Sequence, residues 1–188
     1  MNNNILKQAA ELFDTAEKWN AFVELVNQQE NVKELWWNKL QESVCKRGTQ
    51  PKWTVYKYDG TEKLIWYLSD AEQGKSSTSI YFDGQYICVY FYSGIDHQKA
   101  QELVKNVKFD KILNCFDNPE KGSGQYFLWE NFKLKIDGEE ISKLDKLAWY
   151  TGNKTEEFAN QLLEKIQKLQ TVEITELFEE INKECKAQ

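Results

Sequence analysis

The dipeptide Asp-Gly occurs three times in this chain, at 59–60, 83–84 and 137–138, each time between short runs of strand-forming residues. Asp-Gly tolerates the positive φ angles of a two-residue hairpin turn better than almost any other pair, so each occurrence predicts two antiparallel strands with a determined register. The first lies between "KWTVYKY" and "TEKLIWYLS", the second between "TSIYF" and "QYICVYFY", and the third joins "FKLKI" to "EEIS".

A two-residue turn sets which side chains stand opposite, and opposite residues share a face. Around Asp83-Gly84 this places Tyr81 opposite Tyr86 and Ser79 opposite Cys88, with Tyr90 and Tyr92 continuing the same face. The other face receives Ile80, Phe82, Ile87, Val89 and Phe91, a core set. Around Asp59-Gly60, Trp53 is expected opposite Trp66, Val55 opposite Leu64, and Lys57 opposite Glu62 as an ion pair; Tyr56, Tyr58, Ile65 and Tyr67 fall on the reverse face. If both hairpins share one sheet and one core side, Tyr56, Tyr58, Tyr67, Tyr81, Tyr86, Tyr90 and Tyr92 gather on the opposite side, seven of the nine tyrosines. A phenol has an apolar ring and a polar tip, so two readings of that face stand: the chain's own helices cover it, or another molecule does.

Outside the strands the apolar period becomes helical. Residues 1–47 predict three amphipathic helices, restarted by Asp14 with Glu17 and by Asn31 with Glu34, and ended by Gly48. Their stripes are Ile5, Leu6, Ala9, Leu12 and Phe13; Trp19, Phe22, Val23 and Val26; and Val32, Leu35, Trp36, Leu40 and Val44. Helices are also expected over 96–116, with Asp96 as N-cap, and over 154–186, while 52–92 holds the two hairpins and 125–142 further strands. The whole predicts one α+β domain over 1–188, a mainly antiparallel sheet built from Asp-Gly hairpins and packed by N-terminal and C-terminal amphipathic helices. Trp19, Trp36, Trp53 and Trp66 fall on expected core faces. Trp37 must point elsewhere on its helix, and Trp129 shares a strand face with Asn131, which makes these two secondary contact candidates.

Composition narrows the function. The chain carries 30 acidic against 24 basic side chains, a net charge of −6, and a single arginine, Arg47. DNA readers rely on arginine for guanine and on basic stripes for phosphate, so nucleic acid is not the expected partner. Cys45, Cys88, Cys115 and Cys185 are scattered, form no C-x-x-C pair and suit a reduced, cytoplasmic protein. No run is apolar enough to suggest a signal segment or a membrane span.

Catalytic signatures are sparse. "DAEQGKSS", 70–77, contains Gly-Lys-Ser, but Ser69 stands where a phosphate loop needs its first glycine and a strand follows where a helix should. His97 is the one histidine, which excludes histidine-rich metal sites and leaves Cys88 or Cys115 a single conventional base. "WENFK", around Glu130 and Lys133, allows a carboxylate cluster, though not in a strand-alternating acid-x-lysine spacing. No cofactor is expected. The expectation is a non-enzymatic protein-binding module, acidic and soluble, that masks another protein in the manner of an inhibitor or immunity protein, its net charge favouring a basic partner. Self-association through the tyrosine face is open, and the alternative is a hydrolase- or nuclease-related domain using carboxylates and a divalent metal.

Overall fold

The computed structural model describes residues 3–47, 50–70 and 77–187, excluding the side chains of residues 3–6 and 9. Gly48, residues 71–76 of the Gly-Lys-Ser loop and the side chains of Ile5, Leu6 and Ala9 lie outside the described set. The fold is α+β. Strands β1 (Trp53–Lys57), β2 (Leu64–Leu68), β3 (Thr78–Phe82), β4 (Tyr86–Phe91), β5 (Glu120–Lys121) and β6 (Tyr126–Asn131) form an antiparallel sheet in the order β1-β2-β3-β4-β6-β5. Strands β7 (Leu134–Ile136) and β8 (Glu139–Ile141) form a separate two-stranded sheet.

Helices α1 (Asn3–Leu12), α2 (Ala16–Asn27) and α3 (Gln29–Lys46) precede the sheet. Between β4 and β5 lie α4 (His97–Leu103), a 3₁₀ turn (Val107–Phe109) and α5 (Asp110–Leu113), and α6 (Leu144–Asn153), α7 (Thr155–Lys168) and α8 (Val172–Glu184) close the chain. Helix α6 falls in a stretch where no helix was expected, because its stripe of Leu147, Ala148 and Thr151 is short and partly polar.

Of the expected caps, Asp96 holds its place at α4, accepting from the Lys99 N–H at 3.0 Å, while those of the N-terminal helices move by a residue or more. Thr15, not Asp14, caps α2 by accepting from the Lys18 N–H, while Asp14 engages the Lys18 ammonium at 2.6 Å. The break before α3 comes at Gln28, and Asn31 lies inside the helix.

Both long hairpins pair two residues out of the expected register. In the second, Tyr81 is opposite Cys88 and Ser79 opposite Tyr90. Its two central turn residues are Gly84 and Gln85, flanked by Asp83, whose N–H reaches the Tyr86 carbonyl at 3.3 Å. Asp83 keeps a negative φ and uses its carboxylate to accept from the N–H groups of Gln85 and Tyr86 at 3.1 and 2.7 Å. Only Gly84 takes a positive φ, +90°, the requirement of a II′ turn, in which glycine occupies the first central position. In the first hairpin, Val55 is opposite Trp66 and Lys57 opposite Leu64, and the loop runs from Asp59 to Glu62. Lys57 therefore pairs with Asp59 at 3.0 Å rather than with Glu62. Asp137-Gly138 is the turn in which both residues take a positive φ, +51° and +82°, joining β7 directly to β8.

A shift of two residues preserves strand parity, so the face assignment survives. Leu64 and Trp66 of β2 stand beside Phe82 and Ile80 of β3, and Ile65 stands beside Tyr81. Trp66, Ile80, Phe82, Ile87, Val89 and Phe91 are essentially without solvent contact. Helices meet them from that side: Trp37 of α3 packs edge-on to Phe82 and to Phe158 of α7, and Trp53 packs against Phe178 of α8.

Two tryptophans trade the roles expected of them. Trp37 is 4 % exposed and lies in the core, so it is not a contact candidate. Trp19 is 51 % exposed and lies outside the core. The buried stripe of α3 is Trp37, Leu40, Gln41 and Val44, which includes a polar residue that a hydrophobic pattern passes over. The Gln41 amide donates to the carbonyls of Thr61 and Lys63 at 2.8 and 2.9 Å and more distantly to that of Tyr58, tying the first hairpin loop to the helix. Trp36 lies against Gly152 of α6, where a Cβ would come within 2.0 Å of its ring.

Candidate functional site: a curled tyrosine face

The sheet face turned away from these helices carries the tyrosines. Tyr56 contacts Tyr58, Tyr81 contacts Tyr90, and Tyr90 also contacts Tyr92, with ring centroids 5.1, 6.0 and 4.8 Å apart. Tyr86 stands edge-on to Trp129 at 5.3 Å. Tyr67 is the buried member, at 7 % exposure, whereas Tyr56 is 40 % exposed and Tyr58, Tyr81, Tyr86, Tyr90, Tyr92 and Trp129 are half-buried.

An eighth phenol joins because of an irregularity. Between β4 and β6 the register runs Val89 opposite Leu128 and then Tyr90 opposite Tyr126, so Phe127 is skipped. A bulge of this kind turns one extra side chain out of strict alternation. Tyr126, 44 % exposed, packs on Tyr90 at 5.0 Å, and Phe127 turns to the core and stacks on Phe91. Regular alternation puts Phe127 on the same face as Trp129, and nothing in the sequence marks the bulge. The ninth tyrosine, Tyr150, belongs to α6.

The face is curled. Tyr58 and Tyr92 lie beyond opposite ends of β1 and β4, two strands away from being neighbours, yet their hydroxyls are 3.4 Å apart. On a flat sheet their backbones would be separated by roughly 20 Å along the strands and about 14 Å across them. The right-handed strand twist folds one diagonal of the sheet toward itself, and this diagonal carries the phenols. Tyr90 donates to the Gln125 amide oxygen at 2.6 Å, and the His97 ring nitrogen meets the Tyr92 carbonyl at 3.2 Å.

The electrostatics follow from the packing. Burial, seconded by the charge of Asp83, pushes the Tyr81 phenol well above its ordinary range, and burial followed by the Tyr58 hydrogen bond does the same to Tyr92. Tyr67, Tyr90 and Tyr126 shift upward too, with burial first; a neighbouring phenol comes next for Tyr67 and Tyr90, and Cys88 and then Asp83 for Tyr126. Cys88, beneath these rings, is raised by burial and by Asp83, which keeps it a neutral thiol. The face therefore presents neutral phenols and supplies hydroxyl hydrogen bonds and aromatic area.

A second candidate is the polar cleft of roughly 730 Å³ between β6, the β7–β8 sheet and α7. It contains the Glu130 and Lys133 of "WENFK". Glu130 is only 5 % exposed; one carboxylate oxygen accepts from the N–H groups of Asp117 and Asn118, and the other meets the Lys165 ammonium at 2.7 Å. Burial alone would lower the Lys165 pKa, but hydrogen bonds to Glu130 and Asp117 outweigh it and raise the value. Lys133 is engaged with Glu140. An ammonium thus sits where a cation would have to bind, and among the described residues no group of three His, Cys, Asp or Glu side chains is placed to hold a metal.

Comparisons with family models, with curated proteins and with solved structures found no match. No described helix is long and apolar enough to cross a membrane.

Proposed function

We propose that this chain is a non-enzymatic protein-binding module whose contact surface is the curled tyrosine face, an acidic, cytoplasmic protein of the kind that masks a partner as an inhibitor or immunity protein does. The observation that carries the reading is the arrangement of eight tyrosines and Trp129 on one sheet face, most of them half-buried and packed on one another rather than under a helix. Tyrosine offers large, rigid contact area at small entropic cost, and rings already held by their neighbours lose little freedom when a partner arrives. The net charge of −6 favours encounter with a basic partner. The four free cysteines suit a reducing compartment.

The carboxylate-and-metal alternative draws no support from the polar cleft, because both oxygens of Glu130 already have partners within the chain. Affinity capture from the native lysate tests the preferred reading, with a Tyr86→Ala, Tyr126→Ala variant that retains its far-ultraviolet spectrum as control. A partner retained by the native chain and lost by the variant is the expected result. Equal retention by both removes the tyrosine face from the interaction.

A further inference from the structure

A different surface makes a different prediction. Helix α2 is 12 residues long and contributes no buried residue. Helices of about that length are marginal in water on their own and depend on packing an apolar face. The apolar face exists: Trp19, Phe22, Val23 and Val26 recur at helical spacing and are 51, 39, 39 and 51 % exposed, with Leu25 beside them. Trp19 and Phe22 are held in place by Phe13, whose ring lies 5.7 and 4.5 Å from theirs. The stripe is thus ordered, aromatic at one end and largely open to solvent.

We propose that this stripe is the contact surface for a second copy of the chain, the α2 helices packing against each other about a two-fold axis. The exposed parts of these four side chains leave on the order of 350 Å² of apolar surface per copy, which is the apolar share of an interface burying about 600 Å² on each partner, at the small end of specific contacts. A two-fold contact uses the same patch twice, so no second, complementary surface is required. The stripe is flanked by Ala16, Asn20 and Asn27 on one side and by Lys18, already paired with Asp14, on the other, while Glu17 and Glu24 lie on the far side of the helix, so its border offers no single-sign field that would select a charged partner instead.

Sedimentation equilibrium of the full chain over the micromolar range tests this, paired with amide hydrogen exchange in α2. A mass rising toward twice that of the monomer, with α2 protection rising in parallel, is the expected outcome. Val26→Glu should weaken the dimer tenfold or more while leaving the near-ultraviolet spectrum of the core aromatics unchanged; Tyr86→Ala should leave it intact. A monomeric mass throughout, exchange in α2 that is independent of concentration, or a dimer broken by Tyr86→Ala and not by Val26→Glu overturns the proposal. The exchange arm is read on the native chain and does not depend on any variant folding.

Discussion

The two faces of the six-stranded sheet are drawn from the same strands and separated by the same turns, yet they meet opposite fates. Phe82, Ile80 and Trp66 have no polar atom, or one ring nitrogen, and vanish beneath α3, α7 and α8. Tyr81, Tyr90 and Tyr126 alternate with such residues and pack mainly on each other, half in contact with water. A hydroxyl at the tip is what divides them. Burying it without a partner costs a large part of what burying the ring gains, so most of the phenols keep contact with water; the division is not strict, since the Trp66 indole N–H is buried without a partner on the covered face and Tyr67 is buried on the other.

The difference should be measurable as stability. Phe82→Ala removes a ring that touches Trp37, Phe132 and Phe158, and should cost about 3–5 kcal/mol in denaturant unfolding. A loss below about 1 kcal/mol would mean that the helices do not pack this face tightly. Gly152→Ala sharpens the same point. In an exposed helix that change stabilises by about 1 kcal/mol, but here the new methyl meets the Trp36 ring, so a loss of about 1–3 kcal/mol is expected. A gain would show that α3 and α6 can move apart. On the other face, Tyr86→Ala removes a half-buried ring that stands edge-on to Trp129 and should cost about 0.5–1.5 kcal/mol. If it matches Phe82→Ala, the contrast between the faces is wrong.

A separate effect is a dependence on alkaline pH. Tyr67, Tyr81, Tyr90, Tyr92 and Tyr126 have raised pKa values in the folded chain, so folding favours their neutral form. Their contribution is fully present below the unfolded phenol value of about 10 and is lost as pH rises through the folded values. Phenolate absorbance should therefore show a late group of tyrosines, and unfolding free energy should fall above about pH 10. Nine phenols ionising together at the ordinary value would show that the face is as wet as an unfolded chain.

Much of this contrast was legible in the sequence because side-chain alternation has a period of two. The expected hairpins were misplaced by two residues, through a four-residue loop in one case and a Gly84-Gln85 centre in the other, and still the seven hairpin tyrosines kept the side that alternation assigns them. An error of one residue would have inverted the molecule. Tyr126 was missed because a bulge breaks the alternation without any composition to announce it. Trp37 and Trp19 were exchanged because a helix period defines a stripe but not what lies opposite it. Where Trp37 meets Phe82 the stripe is core; where Trp19 has Phe13 and Phe22 as its ring contacts, it is surface.

Local chemistry is what the sequence determined by itself: where strands and most helices form, which side chains share a face, and the absence of a basic stripe or a second histidine. Those follow from backbone sterics, side-chain period and charge, which act within a few residues. Only the tertiary structure decided that α3, α7 and α8 lie on the phenyl side, that the sheet curls until the Tyr58 and Tyr92 hydroxyls meet, that Lys165 occupies the place beside Glu130, and that α2 keeps its aromatic stripe in solvent. These depend on contacts between residues far apart in the chain, whose energies are set by shape and burial, quantities that no local pattern encodes.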